Sequence, residues 1–418
     1  MPILVLIYNK KKFDMINSQL PIYTQKDIKA YLIANGCSGT IYALAFPESR
    51  KIFEEVIDGG DRNSMIKDAL NSSQSPESLA IRIKKLFETA RQNHLNIYEG
   101  AWTGRQDHVD QDFFNTWRQW SAPVLTTNNS QWNHMYPTSG ASEGLRESIN
   151  AYGADARANN YSPTIHVFTG EYEGFKAYAD AAKINVVTHN RNNWKESLSK
   201  VSSKDQFYIS QPSAIDGNIW DEFDEFARAL DKQQPDASLM LDVTYLGSVA
   251  KDYHINADHP NIPRIFFSLS KPFGVYYHRI GGVISRESMQ GLFGNAWFKN
   301  IQSIRLGTAL LERSASPQEL PQKYQTFRDE ALATISKKIG VTLTASDVLL
   351  FATAPSNEAD TDIKKSLLRG SLGEQFIRVC LTPQMAKIIP NAVYIENDGQ
   401  FIEPSNANTG APLGELKL

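Results

Sequence analysis

Lys271 and Arg279 lie eight residues apart in the stretch Ser268–Gly282, among small and apolar neighbours. A lysine amine attacks a carbonyl only when it is neutral, and burial or a nearby cation supplies the lowered pKa this needs. A guanidinium forks two parallel hydrogen bonds onto a phosphate. Ser268, Ser270 and Gly274, with Gly281 and Gly282 beyond, let the backbone pass close to a ligand. The pair points to Schiff-base chemistry beside a bound phosphate. Taken alone, a surface lysine in a loop before a strand fits the same residues.

Other residues of similar promise are spread along the chain. Tyr136–Glu147 reads as a glycine-containing loop feeding a helix, whose first N–H groups suit a phosphate. An ordinary capped helix has the same pattern. Asp242 ends the apolar run Leu239–Val243, and ligands in open α/β sheets lie at the carboxyl ends of strands. Arg378 stands alone in the apolar run Phe376–Leu381. A buried arginine needs a partner, either a structural acid or the planar carboxylate of a ligand. Tyr172 and Phe175 follow another apolar run and offer a flat face to a flat ring, or simply a place in the core. The eight histidines, including His134, His166 and His278, are scattered and show no metal-ligand spacing, so no metal is expected.

The elements that must position these residues alternate. Strands are expected at Ile165–Phe168, Asn185–Thr188, Phe207–Ser210, Leu239–Val243, Arg264–Ser268 and Gly281–Ser285, with helical stretches between several of them. That alternation predicts an α/β fold: a three-layer large domain with a mainly parallel sheet. A long helix from Pro317 to Lys338, stopped at Gly340, leads to strands at Thr342–Thr344, Val348–Ala352 and Phe376–Leu381 in a smaller α+β C-terminal domain. Residues 1–73 read as an extra N-terminal α/β extension with strands at Ile3–Tyr8 and Thr40–Phe46 and a helix near Lys26–Ala34. It reads as scaffold, without chemistry of its own. Ser75 caps and Pro76 starts a helix running to about Asn93. The expected division is 1–95 for the extension and its helix, 96–312 for the large domain, and 313–418 for the interdomain helix and small domain. The tail Glu403–Leu418, rich in Asn, Pro and Gly, reads as partly disordered.

Bulk properties narrow the classes. The 418 residues are 41% hydrophobic and 21% charged, with a net charge of -3, which is ample for a large core and gives no basic surplus for nucleic acid. No apolar run approaches the ~20 residues that span a bilayer. The two cysteines, Cys37 and Cys380, cannot build a disulfide framework, and a cytoplasmic location is expected.

The spacing of Ser268, Lys271 and Arg279 resembles the cofactor-lysine signature of the aspartate aminotransferase superfamily, the class I/II aminotransferase-like enzymes of fold type I that use pyridoxal 5'-phosphate (PLP). The resemblance implies that Lys271 forms a Schiff base with the cofactor aldehyde and that Ser268 and Arg279 hold its phosphate. Tyr277 departs from the small or polar residue usual two positions before the arginine. By the same resemblance the backbone of Ala141, Ser142 and Glu143 wraps the phosphate, and Tyr172 stacks on the pyridine ring. Gln211, ahead of Pro212, stands where relatives carry an Asn-Pro segment that donates to the ring oxygen. Asp242, 29 residues before Lys271, holds the pyridinium, with Tyr245 near the ring hydroxyl. Arg378 reads the substrate carboxylate, and the backbone of Gly100, in a substrate-side loop Asn96–Trp102, faces it too. The signals occur in family order over roughly residues 96–390 and leave out 1–73. They imply a PLP enzyme acting on an α-amino acid as its small-molecule substrate, most simply an aminotransferase. Gln211, the extension and the tryptophan-rich stretch Trp102–Trp132 favour the alternative of a lyase, cyclase, decarboxylase or oxidase. A homodimer is also implied, with Ser303, Arg305 and Thr308 reaching the partner's cofactor.

Overall fold

The computed structural model of the chain describes residues 24–58, 62–103, 106–128, 130–295, 300–370 and 375–395. The expected strand Ile3–Tyr8 and the tail Glu403–Leu418 lie outside them.

The large sheet is built from β2 (His134–Thr138), β3 (Thr164–Phe168), β4 (Asn185–His189), β5 (Gln206–Ser210), β6 (Ser238–Asp242), β7 (Arg264–Ser268) and β8 (Gly281–Ser285). A short strand, β1 (Ala43–Ala45), precedes them in the chain. The sheet order is β2-β8-β7-β6-β5-β3-β4. The strands from β7 to β4 pair in parallel, and β8 runs antiparallel between β7 and β2. The helices Gly174–Ala182, Trp194–Leu198 and Phe223–Gln233 provide successive crossovers between parallel strands.

Both faces of this sheet are buried, which explains why its central strands read as continuous apolar runs. Side chains alternate, so Val167, Tyr208, Met240, Phe266 and Val283 pack into one layer with the helices Ala141–Ala158 and Gly174–Ala182. Phe207, Ile209, Leu239, Leu241, Ile265 and Phe267 pack into the other. This is the expected three-layer domain. The strand β2, missed in the sequence because His134, Pro137 and Thr138 dilute its pattern, closes one edge.

The helix Glu319–Ile339 ends at Gly340, in left-handed backbone at φ 63°, as glycine allows. Beyond it β9 (Thr344–Ala345), β10 (Phe351–Pro355), β11 (Leu368–Arg369) and β12 (Phe376–Cys380) form an antiparallel sheet in the order β9-β10-β12-β11. This is the smaller α+β C-terminal domain. The expected strand Val348–Ala352 starts later, at Phe351.

The N-terminal segment is not an appendage. β1 pairs antiparallel with β13 (Val393–Ile395), and Ser38 bridges Cys380, so residues 38–45 are sewn into the C-terminal domain. Thr24 and Asp27 form a capping box for the helix Gln25–Ala34 that precedes it. Ser75 and Ser78 exchange hydrogen bonds of 3.2 Å at the start of the helix Pro76–Thr103. That helix runs past Asn93 and takes in Asn96–Trp102, so the expected substrate-side loop with Gly100 is helix instead. Its heptad-like apolar spacing continues without a glycine or proline strong enough to stop it. No helix among the described residues is long and apolar enough to cross a membrane.

Candidate functional site

Topology gathers the predicted residues at one edge. β3, β5, β6 and β7 are parallel, so their carboxyl ends deliver Tyr172, Gln211, Asp242 and Ser268–Lys271 to the same side of the sheet. Gly281 opens β8 opposite both Thr138 and Ser268, which places Arg279 beside the loop that follows β2.

The anion subsite forms there. Gly140 precedes the helix Ala141–Ala158 at φ 82° and gives it no side-chain cap, leaving the first N–H groups of that helix without a capping side chain. A Cβ on Gly140 would stand 2.7 Å from Arg279 Nη2 and 3.4 Å from Ser268 Oγ. The glycine thus keeps open the space where hydroxyl, guanidinium and helix N-terminus converge. Arg279 Nη2 donates to Ser139 O (2.7 Å) and Ser142 Oγ (3.2 Å). The Arg279 backbone is itself left-handed, at φ 49°, a strain of about 1 kcal/mol for a non-glycine residue. Ser139, Tyr277, Arg279, Gly281, Asn300 and Ser303 line an adjoining cavity of ≈ 200 Å³. The Glu143 carboxylate folds back to accept from Ser139 N (2.6 Å).

Lys271 is recessed behind this subsite. Burial pushes its amine down to about 8, the nearby Cys380 thiol opposes that, and the positive charges of Arg378 and Arg279 push the same way as burial. Its Nζ donates to the carbonyl of Ile41 (2.5 Å). The N-terminal segment, expected to be scaffold, therefore supplies a direct partner to the central lysine. Nothing local in its sequence marks that role, because it depends on the β1–β13 pairing.

Asp242 is buried and both of its oxygens are engaged. Oδ1 accepts from Thr244 N (2.8 Å) and Thr244 Oγ1 (2.6 Å), and Oδ2 accepts from Tyr208 Oη (2.8 Å). Burial raises its pKa, while the Thr244 and Tyr208 donors hold it down. Tyr208 escaped the sequence reading. Its signal was the period of two: Tyr208 and Asp242 project on one face of adjacent strands, two rungs apart. Tyr245 is buried edge-to-face against Phe351, ring centroids 5.7 Å apart. Tyr172 is 42% exposed at the rim, its ring folded over Gly174. Gln211 turns its amide onto the backbone of Trp220, accepting from its N and donating to its O, both at 3.1 Å. One of the two N–H donors of the Gln211 amide is thereby committed to the Trp220 backbone.

Arg378, in the middle of β12, is 8% exposed. Its Nη1 donates to the carbonyls of Ala214 (2.5 Å) and Ile215 (3.3 Å), and its guanidinium lies over the Phe351 ring at 5.8 Å. Its Nε has no partner, and no carboxylate among the described residues pairs with it. Burial, with the charge of Arg369 behind it, lowers its pKa to about 10. A buried guanidinium is costly unless an acid or another anion meets it. Ser303 and Thr308 are buried on the helix Ile301–Glu312, and Arg305, partly exposed on the same helix, pairs with Asp112 at 3.4 Å.

Shape comparison decides the architecture. YbdL from Escherichia coli, for which a methionine aminotransferase function is reported, superimposes with a TM-score of 0.53 at 12% identity over 69% of this chain and 84% of its own. The chain has the aminotransferase fold, fold type I. Aspartate aminotransferase from Thermus thermophilus with maleate gives a TM-score of 0.52 at 12% identity, covering 67% of this chain and 79% of that one. The PLP-bound C-S lyase from Staphylococcus hominis, complexed with L-cycloserine, gives 0.51 at 15% identity, covering 65% and 75%. No protein-family model and no curated protein matches the sequence. Solved members of this fold thus include both an aminotransferase and a C-S lyase, so the fold by itself does not fix the chemistry.

The residues present suit PLP. The Gly140 cradle with Arg279, Ser268 and Ser142 matches a phosphate, the depressed Lys271 amine matches an aldehyde, and buried Asp242 matches a ring nitrogen.

Proposed function

We propose that the chain is a PLP-dependent enzyme acting on an α-amino acid, most simply an aminotransferase. The observation that carries this reading is the pair formed by Arg378, buried without an acid partner, and Lys271, whose amine it helps to depress. When bound, PLP supplies an aldehyde for covalent attachment of the amine and a protonated ring that accepts electrons from Cα. Ser268, Ser142, Arg279 and the N-terminus of the helix Ala141–Ala158 would hold the phosphate. Asp242, oriented by Tyr208 and Thr244, would keep the proton on the ring nitrogen. Arg378 would read the substrate carboxylate, and Lys271 would carry a proton to and from Cα. Tyr245 and Tyr172 would bound the ring.

A lyase is the second reading, with cyclase, decarboxylase or oxidase chemistry on the same scaffold. It is favoured by Gln211 in place of an asparagine, whose longer amide makes a hydrogen bond in each direction with the Trp220 backbone. A homodimer in the cytoplasm completes the proposal, and sedimentation of an active monomer would refute the dimer. The deciding experiment mixes PLP-loaded protein with a panel of amino acids, with and without a keto acid, and follows product masses. Exchange of amino and keto groups supports the aminotransferase, and loss of a side-chain fragment or of CO2 supports the second reading. Borohydride reduction should place the pyridoxyl group on Lys271, and a label on another lysine refutes the site.

A further inference from the structure

Glu171 is the titratable group of this site that the proposed chemistry does not use. It follows β3, next to Tyr172, and is 4% exposed. A carboxylate this deep is costly and a neutral side chain would fill the place at less expense, so its contacts must require an acceptor there. Its Oε1 accepts from Ser210 N (3.0 Å) and its Oε2 from Ser210 Oγ (2.5 Å). With its proton given to Glu171, Ser210 Oγ accepts from Ala214 N (2.7 Å). The carbonyl of the same Ala214 accepts from Arg378 Nη1 (2.5 Å).

These contacts run in one direction. The acid fixes the hydroxyl, the hydroxyl fixes one peptide group flanking Ala214, and the other peptide group seats the guanidinium. Arg191, Asp242, Tyr208 and Tyr245 also face Glu171 electrostatically, but none replaces it as the acceptor for Ser210. Arg378 has no carboxylate of its own among the described residues, so its aim depends on the backbone corner that Glu171 anchors.

We propose that Glu171 is a positioning residue for Arg378, acting through Ser210 and the Ala214 corner to aim the guanidinium at a ligand carboxylate. The proposal rests on the reading that Arg378 meets such a carboxylate. It predicts that Glu171 matters for α-amino acids and not for amines that lack the carboxylate.

The test uses PLP-loaded protein and two probes, L-alanine and ethylamine, which react alike with the aldehyde and differ in the carboxylate. Binding is followed by the change in cofactor absorbance. Glu171→Gln should weaken L-alanine roughly tenfold, as expected for loss of one charge-assisted hydrogen bond, and leave ethylamine within about twofold. In an Arg378→Ala background Glu171→Gln should add nothing. Ser210→Ala, which cuts the same link from the other side, should reproduce the selectivity if Glu171→Gln does not fold. In cofactor-free protein, Glu171→Gln or Ser210→Ala should speed exchange of the Arg378 guanidinium protons about tenfold by ¹⁵N NMR, with the signals assigned by their loss in Arg378→Lys. Equal weakening of both probes, an effect that persists without Arg378, or unchanged proton exchange overturns the proposal. If wild-type protein binds both probes equally well, the carboxylate role of Arg378 fails, and the cofactor-free measurement alone decides whether Glu171 positions it.

Discussion

Replacing Arg378 by alanine separates substrate recognition from everything else in the site. The guanidinium is buried, held by two backbone carbonyls and set over Phe351, and its Nε is unspent. Truncating one partner of a desolvated, hydrogen-bonded ion pair costs about 2–5 kcal/mol, so amino-acid binding should weaken by about 30-fold to several thousandfold. PLP should still bind, because Ser268, Ser142 and Arg279 belong to other elements. Arg378→Lys should recover only part of the loss, since a point charge cannot fork. A second readout comes from Lys271. Arg378 is one of the charges that lower the amine to about 8, so its removal should move that value upward. The assay is a spectral titration with amino acids, paired with the pH dependence of cofactor capture by cofactor-free protein. Unchanged amino-acid affinity together with loss of PLP or of the fold would show that the arginine is structural.

Three further outcomes are expected. The rate at which cofactor-free protein captures PLP should rise about tenfold per pH unit up to about 8 and then level, because Lys271 attacks only when neutral. A rise continuing to pH 10 would mean an ordinary lysine. Asp242→Asn should retain PLP but slow exchange of the substrate α-proton, read by mass spectrometry in deuterated water, by at least about a hundredfold, and near-normal exchange would remove Asp242 from the chemistry. His166 and His189 form a buried pair, 2.8 Å between ring nitrogens, with Asp205 beyond. Burial first, then the charges of His166 and Lys200, hold His189 at about 4, below the ordinary 6.5. The unfolded chain therefore binds a proton that the native one refuses, so stability should be full above about pH 6.5 and fall as pH drops toward 4. The loss is about 2 kcal/mol by pH 5, read from denaturant midpoints. His189→Phe should flatten that slope, and a slope unchanged in that variant would refute the assignment.

What could be read in the sequence was what depends on local pattern. The parallel strands and the helix stop at Gly340 follow from periodicity and punctuation, and the order of the phosphate loop, Tyr172, Asp242, Lys271 and Arg378 was legible through the resemblance those residues carry. What could not be read depends on contacts far apart in the chain. Ile41 meets Lys271 across 230 positions because β1 pairs with β13. Gln211 looked like an amide on a long arm, and only the position of Trp220 shows where that arm is spent. Tyr208 was not picked out at all, because its role depends on its register against Asp242 on the neighbouring strand. Glu171 drew no reading, because its hydrogen bonds go to Ser210 on the neighbouring strand. Asn96–Trp102 was misread for the opposite reason: a tyrosine and a glycine suggested a loop inside a helix that one glycine does not stop.

The charges of the site explain why one lysine could serve two purposes. In the cofactor-free protein Arg279 and Arg378 both act on Lys271, and with burial they favour its neutral, nucleophilic form. A phosphate on Arg279 and a carboxylate on Arg378 would cancel those two charges. The Lys271 amine would then hold a proton more firmly than before. On the proposed reading the acids would orient, the arginines would meet the ligand's anions, and those anions would shift Lys271 from a group that attacks carbonyls toward one that carries protons.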